Sequence, residues 1–336
     1  MEENKNNKSI GIREIAKLAG VSTATVSRVI NKSPSTSQKV REKVEKIIEE
    51  YNYIPNQNIR NIFSKSYNSI AIFIYDIDNP FFTRLIKELN KICLTNKYTL
   101  LICDTENEKN RENEYLEYCL ANRFSGIIVT EGIDYSIFET HELNLPIVTL
   151  DRKINNHFSV VSSENVDAAK NVVEYLYNLN HRKIAFVGCS NDYMSVISRK
   201  EGYLKGLKDK NIPFKAEYIY EKGGKLDLEN GTNALKYFLT LSDPPTAIIC
   251  ANDIIALGII NEARVQNLLI PDDISIVGFD NVIDLIHYPT ITTVKQDLKK
   301  MANLLFDLIT NPPEEPKSIK IDTKLIQGYT TKRCLK

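Results

Sequence analysis

The 336 residues are 43% hydrophobic and 26% charged, an ordinary globular composition that excludes a disordered chain and suits two or three domains. No run approaches the roughly 18 uninterrupted apolar residues of a membrane span. The opening MEENKNNKS has no apolar h-region behind it, so a cytoplasmic protein is expected rather than a secreted solute-binding one. Lys plus Arg equal Asp plus Glu at 43 each, yet residues 1–65 hold 12 basic against 7 acidic residues and the remainder 31 against 36. A basic head on an acidic body is the charge layout of a polyanion-binding module fused to something else.

In chain order, residues 1–55 contain helix-period segments and no strand. Residues 12–30, IREIAKLAGVSTATVSRVI, read as two short helices around a turn. The first places Ile12, Ile15, Ala16 and Leu18 inward, Gly20 supplies the positive-φ stop, and Val21 plugs the turn. Ser22 caps the second helix, which runs to about Ile30 and packs through Val26, Val29 and Ile30, as in a helix-turn-helix. Its outer face carries Thr23, Ala24, Thr25, Ser27 and Arg28, small hydroxyls and one Arg that suit groove edges and phosphates better than a core. A third helix, Ser37 to about Glu50, closes the head with Val40, Val44, Ile47 and Ile48.

From Ser69 onward, short apolar runs alternate with amphipathic stretches: SIAIFIY, YTLLIC, SGIIVT, PIVTL, KIAFVG, TAIICA and ISIVGF. Apolar runs of this length, rich in β-branched residues and separated by helical patterns, predict parallel strands buried on both faces, enough for two doubly wound sheets. In such sheets ligands bind beyond the carboxyl ends of the strands. DIDNPFF (76–82), TLDR (149–152), Arg199 before EGY, AND (251–253) and GFDN (278–281) all fall there. Asp280 and Asn252 can accept from hydroxyls or ring N–H groups, Arg199 donates in a fork, and Phe81 or Phe82 gives a stacking face. A strand-end Asp or Asn can equally cap a helix, and the Phe pair can equally be core.

The string A-x-x-A-G-V-S-x-x-T-V-S-R-V-x-N and the following SQKVREKVEKIIEEYNYIPN resemble the DNA-binding head of the lactose-repressor (LacI/GalR) family over residues 10–62, and the remainder resembles that family's core. The resemblance implies an all-α helix-turn-helix head (1–55), a hinge helix and linker (56–68), and an α/β two-lobed periplasmic-binding-protein-like (type I) core (69–336) with doubly wound parallel sheets. The lobes are discontinuous, about 69–163 with 294–322 and about 164–293 with 323–336. It implies base readout by Thr23, Ala24 and Arg28, backbone contacts from Ser22, Thr25, Ser27, Asn31 and Tyr53, and a minor-groove hinge of Asn56, Ile59 and Ile62. It also implies an effector held by Arg199, Asn252 and Asp280, with Asp151 and the Phe81–Phe82 pair beside them. The chain departs from the family at the wedge, Ile62 for the usual Leu, at Ile59 for Ala, and at Gly11 for a Thr or Ser cap. Asp78 and Tyr75 replace a usually small residue and a frequent Pro.

Nothing in the sequence carries catalysis or a cofactor. The histidines His141, His157, His181 and His287 lie far apart, and no H-E-x-x-H, G-x-S-x-G, Walker loop or G-x-G-x-x-G is present. The six cysteines form no C-x-x-C pair, so no metal site is expected. The expected partners are palindromic operator DNA, a second copy in a homodimer, and a small effector (sugar, sugar phosphate, nucleoside or nucleobase); no membrane is involved. The expected function is an allosterically controlled regulator, a repressor of a sugar or nucleoside pathway. One alternative is a global regulator of the catabolite-control type answering to a phosphorylated protein; another is a sugar-processing enzyme of the cytoplasm.

Overall fold

The computed structural model describes residues 10–30, 33–53, 68–139, 143, 145–152, 157–189, 193–283 and 291–335. The chain divides into two compact units, Met1–Tyr67 and Asn68–Lys336. Asn31, Asn56, Ile59 and Ile62 lie outside the described residues, as do His141 and His287.

The head unit has helices α1 (Ile12–Ala19), α2 (Thr23–Ile30) and α3 (Gln38–Glu50). Gly20 stops α1 at φ 65°, its left-handed backbone letting the Val21 N–H return to the Ala16 carbonyl at 3.0 Å. Ile15, Ala16, Ala19, Val26, Val29, Val44 and Tyr53 form the buried core. Leu18, expected inward, is 45% exposed, and Ala19 takes its place. The reason is phase: Ile12, Ile15, Ala16 and Ala19 cluster on one side of a 3.6-residue helix, and Leu18 falls about 100° away from them.

The larger unit holds two sheets. In the first, β1 (Ser69–Ile74), β2 (Thr99–Asp104), β3 (Gly126–Val129), β4 (Ile147–Leu150), β5 (Ser159–Ser163) and β11 (Ser318–Ile321) are ordered β11-β5-β4-β3-β1-β2, all parallel. In the second, β6 (Ile184–Val187), β7 (Ile219–Tyr220), β8 (Ala247–Cys250), β9 (Ser275–Asp280), β10 (Thr292–Gln296) and β12 (Thr323–Ile326) are ordered β12-β10-β9-β8-β6-β7, with only β12 antiparallel to its neighbour. The central strands β1, β3, β4, β6, β8 and β9 are apolar throughout or nearly so and buried, because helices cover both faces.

The helices that matter for the site begin at the carboxyl ends of these strands: α4 (Pro80–Thr95) after β1, α7 (Asn165–Asn178) after β5, α8 (Met194–Asp209) after β6 and α10 (Asp253–Val265) after β8. Helices α5 (Lys109–Ala121), α6 (Ser136–Glu139) and α9 (Leu228–Leu239) complete the connections. Helix α11 (Leu298–Thr310) packs on α4 and on β3, β4 and β5. The chain passes between lobes after β5, after β10 and after β11. Val294 belongs to β10 in the second sheet, so the return to the first lobe comes at Asp297, slightly later than the sequence suggests. Helices α9 and α10 meet through glycines: a Cβ on Gly231 would lie 2.1 Å from the Ile255 carbonyl oxygen, and one on Gly258 2.1 Å from that of Leu228.

Candidate functional site

Both sheets reverse their strand order once, between β1 and β3 in the first and between β6 and β8 in the second, and a cleft lies at these carboxyl ends. The first lobe supplies Tyr75, Asn79, Phe81 and Phe82 after β1, Thr130 and Glu131 after β3, and Leu150 and Asp151 at the end of β4. The second supplies Ser195, Arg199, Leu226, Asn252, Asp280 and Gln296. Phe81, Phe82, Asp151, Arg199, Asn252 and Asp280, singled out in the sequence, thus line one space. That space is narrow, with room for about one water molecule.

Arg199 is the hub. Buried on α8, it donates from Nε to Asn165 Oδ1 at 3.0 Å and from Nη1 to the Ala251 carbonyl, and its Nη2 lies 3.3 Å from Asp280 Oδ1. Its guanidinium also lies 3.9 Å over the Phe279 ring. Asp280 Oδ1 accepts in addition from Gln296 Nε2 at 2.6 Å. Asp151 Oδ1 accepts from the Ser163 N–H and from Asn165 Nδ2, each at 3.2 Å. Burial raises both aspartates above the ordinary carboxylate range, and the positive charge of Arg199 opposes the rise. Both sit on left-handed backbone, Asp151 at φ 59° and Asp280 at φ 101°, which residues with a Cβ rarely adopt and which clusters at functional sites.

Glu131 spans the lobes. Its carboxylate accepts from the Ser195 N–H at 2.9 Å and from Ser195 Oγ at 2.5 Å, closing the N-terminal end of α8 from the opposite lobe. Burial, reinforced by the Asp151 charge, raises Glu131 to about 7, against the pull of the Ser195 bonds and Arg199. Beside it Tyr75 stacks on Tyr193 (centroids 4.8 Å, 26° between planes) and meets Phe82 edge-on at 5.0 Å. Behind Asp280, burial and the Asp280 charge lift Asp253 to about 7, while Thr293 Oγ1 and the Val282 N–H donate to it.

Asn252 combines the two expected readings. Its Oδ1 caps α10 by accepting from the Ile255 N–H at 2.8 Å, and its Nδ2 donates to the Leu226 carbonyl at 3.1 Å, so much of its amide is committed within the fold. Phe81 and Phe82 are likewise both core and cleft wall, at 7% and 3% exposure.

In the head, Ser22 Oγ accepts from the Thr25 N–H at 3.1 Å and caps α2. Thr23, Ala24 and Arg28 are exposed on α2, while Thr25 and Ser27 are half-buried. Tyr53 packs its ring into the head core. At the departure Gly11, Glu14 Oε2 on α1 accepts from the Gly11 N–H at 2.8 Å, while no side chain at position 11 receives the first-turn N–H groups.

Residues 11–56 match the lacI family of bacterial regulatory proteins, and residues 173–331 match a periplasmic binding protein-like domain. The probable HTH-type transcriptional repressor ExuR of Bacillus subtilis is 32% identical over 96% of this chain and 99% of its own. The chain belongs to the LacI family.

This LacI-family member is a helix-turn-helix transcriptional regulator with a two-sheet α/β core. It is similar to the ribose operon repressor of Halalkalibacterium halodurans, at 32% identity over 96% of this chain and 97% of the relative. The HTH-type transcriptional repressor PurR of Mannheimia succiniciproducens is 29% identical over 96% of the chain and 98% of the relative. Among solved structures, the lac repressor dimer bound to operator and the anti-inducer ONPF aligns with a TM-score of 0.84, at 26% identity, over 97% of this chain and 100% of that one. No helix among the described residues is long and apolar enough to cross a membrane.

Glu131, Ser195 and Gln296 also line this LacI-family cleft, beyond the residues its motifs single out. A signal existed for the first: Glu131 follows SGIIVT, so it stands beyond the carboxyl end of a strand like the motifs that were recognised. Ser195 and Gln296 carried none, since each acts through a partner in another part of the chain.

Proposed function

We propose that this regulator is a homodimeric repressor of a sugar or nucleoside utilisation pathway in the cytoplasm, whose hold on a palindromic operator is set by a small molecule bound between the lobes of its core. The observation that carries the reading is the convergence of Asp151, Arg199 and Asp280, from two strand ends and a helix and from both lobes, on one aromatic-walled cleft. Buried acceptors, one guanidinium and stacked rings suit a hydroxyl-rich or heterocyclic ligand. The name of the ribose operon repressor among its relatives points the same way. In the head, Thr23, Ala24 and Arg28 read bases, Ser22, Thr25, Ser27, Asn31 and Tyr53 hold the backbone, and Asn56, Ile59 and Ile62 form the minor-groove hinge. Effector binding changes the angle between lobes, and with it the spacing of the two hinges across the dimer. No chemical step is assigned to the cleft.

A thermal-shift screen of the full chain against sugars, sugar phosphates, nucleosides and nucleobases tests this. A ligand at about 100 times its Kd adds roughly 2.7 kcal/mol of stability. A hit that is lost in Asp280→Ala and recovered chemically unchanged supports the reading. A blank panel, with operator binding that tightens on addition of a phosphorylated protein, replaces it with control by that partner, and turnover of the ligand replaces it with an enzyme.

A further inference from the structure

The charge balance of the cleft says more about the ligand than its shape does. Three carboxylates, the buried Glu131 and Asp280 and the half-buried Asp151, share the space with Arg199, and Asp253 stands directly behind. Among the described residues lining the cleft, Arg199 is the one cation, and it is already committed to Asn165, Ala251 and Asp280, with its face on Phe279. An incoming carboxylate or phosphate finds no free guanidinium fork to receive it.

Most of the other usual anion receptors are occupied as well. Helix N-termini attract anions through their unpaired N–H groups. Of the four helices that start here, three have a side-chain acceptor in place: Asn79 takes the Phe81 N–H of α4, Glu131 takes the Ser195 N–H of α8, and Asn252 takes the Ile255 N–H of α10. The start of α7 has no side-chain cap, and the side chain of its first residue, Asn165, is held between Arg199 and Asp151. What remains available is acceptor capacity. In Asp151 and in Asp280 the hydrogen bonds from the described residues go to Oδ1, leaving Oδ2 to receive a ligand's hydroxyl protons.

We propose that the cleft selects its effector by charge: it takes a hydroxyl-rich molecule that is uncharged or carries an amine, it turns away sugar acids and sugar phosphates, and Glu131 is the residue that sets this preference. The inference rests on the polyol form of the function proposed above and narrows it. Glu131 acts because it adds a second uncompensated negative charge to a site in which Asp280 already answers Arg199. At about 5 Å and an effective dielectric of about 20, one such charge weakens an anion roughly a hundredfold.

The test is titration calorimetry of the full chain at pH 8 with matched sets: glucose, glucosamine, glucuronate and glucose 6-phosphate; the galactose counterparts; and ribose with ribose 5-phosphate. In any set that binds, the uncharged and amine members are expected to exceed the acid and the phosphate by roughly a hundredfold. Glu131→Gln, nearly isosteric and able to keep an acceptor on the Ser195 N–H, is expected to close that gap by at least about tenfold. If Glu131→Gln does not fold, Asp151→Asn removes a charge of the same sign from the neighbouring strand end of the same lobe and is expected to act likewise. An acid or phosphate that binds as tightly as its uncharged partner, or a gap unchanged in the folded variants, overturns charge selection and leaves the polyol reading standing. Absence of binding by every set overturns both.

Discussion

Replacing Arg199 by Met keeps the length of the side chain and removes everything else it does. The loss comprises the bonds to Asn165 and Ala251, the ion pair with Asp280 and the charge over Phe279. More costly than the lost bonds is what stays behind: Asp280 is buried and, without the guanidinium, uncompensated. Removing one partner of a buried pair costs about 3–5 kcal/mol, which lowers the melting temperature of a domain of this size by about 6–20 °C. The loss has a pH signature. Arg199 holds both Asp280 and Asp151 below the values that burial alone would impose. In the variant these carboxylates protonate more readily, so the penalty shrinks toward low pH by up to about 1.4 kcal/mol per pH unit for each group that takes a proton. Urea melts followed by circular dichroism at pH 5 and pH 8 are expected to show the larger loss at pH 8. In an Asp280→Asn background the same change is expected to cost at least about 1 kcal/mol less, a direct measure of the coupling. A loss below about 1 kcal/mol, or an equal loss at both pH values and in both backgrounds, refutes the account of Arg199 as the charge that holds the cleft together.

Three further outcomes are expected. Because burial lifts Glu131 to about 7 from an ordinary value of 4.5, the folded chain holds this proton more firmly than the unfolded one. Its stabilisation is therefore complete below about pH 4.5 and lost as pH rises through 7, so between pH 5 and 8 the parent is expected to lose about 2–3 kcal/mol more than Glu131→Gln; parallel pH profiles of the two proteins would contradict it. Gly258→Ala drives a methyl into the Leu228 carbonyl, must push α9 and α10 apart, and is expected to cost about 1–3 kcal/mol in a thermal melt. Arg28→Ala is expected to leave folding intact and to relax base preference at one position per operator half-site by about 1–3 kcal/mol, read by binding to single-base operator variants.

The strands were legible because a strand covered on both faces must be apolar along its whole length, as SIAIFI, GIIV and AIIC are. Strand β10 was harder, because TTVKQ looks like a surface segment. Lys295 is exposed, and the other polar side chains are buried because distant groups meet them: Thr293 donates to Asp253, Gln296 donates to Asp280, and Thr292 shares a hydrogen bond with Thr331. The misplacement of Leu18 has a different origin, since an eight-residue helix offers too few turns to fix its phase from apolar spacing alone. In the cleft, Arg199, Asp151 and Asp280 were legible because strand ends in such sheets are where ligands bind. The clasp between Glu131 and Ser195 was not, because the two residues are 64 positions apart and neither belongs to a motif.

The order in which the chain weaves between its lobes also governs how it can be made. The three helices of the head lie within the first 50 residues, and their core draws on residues no later than Tyr53, so this unit can close soon after it leaves the ribosome. The first lobe has no such freedom. Its edge strand β11 and its covering helix α11 come after the whole of the second sheet except β12 has been synthesised. At about 5–20 residues per second, the apolar faces of β3, β4 and β5 wait roughly ten seconds to half a minute for α11 to arrive. A nascent chain of this protein therefore carries a finished DNA-reading head well before it has a finished sensor, and those exposed strands are where a chaperone would be needed.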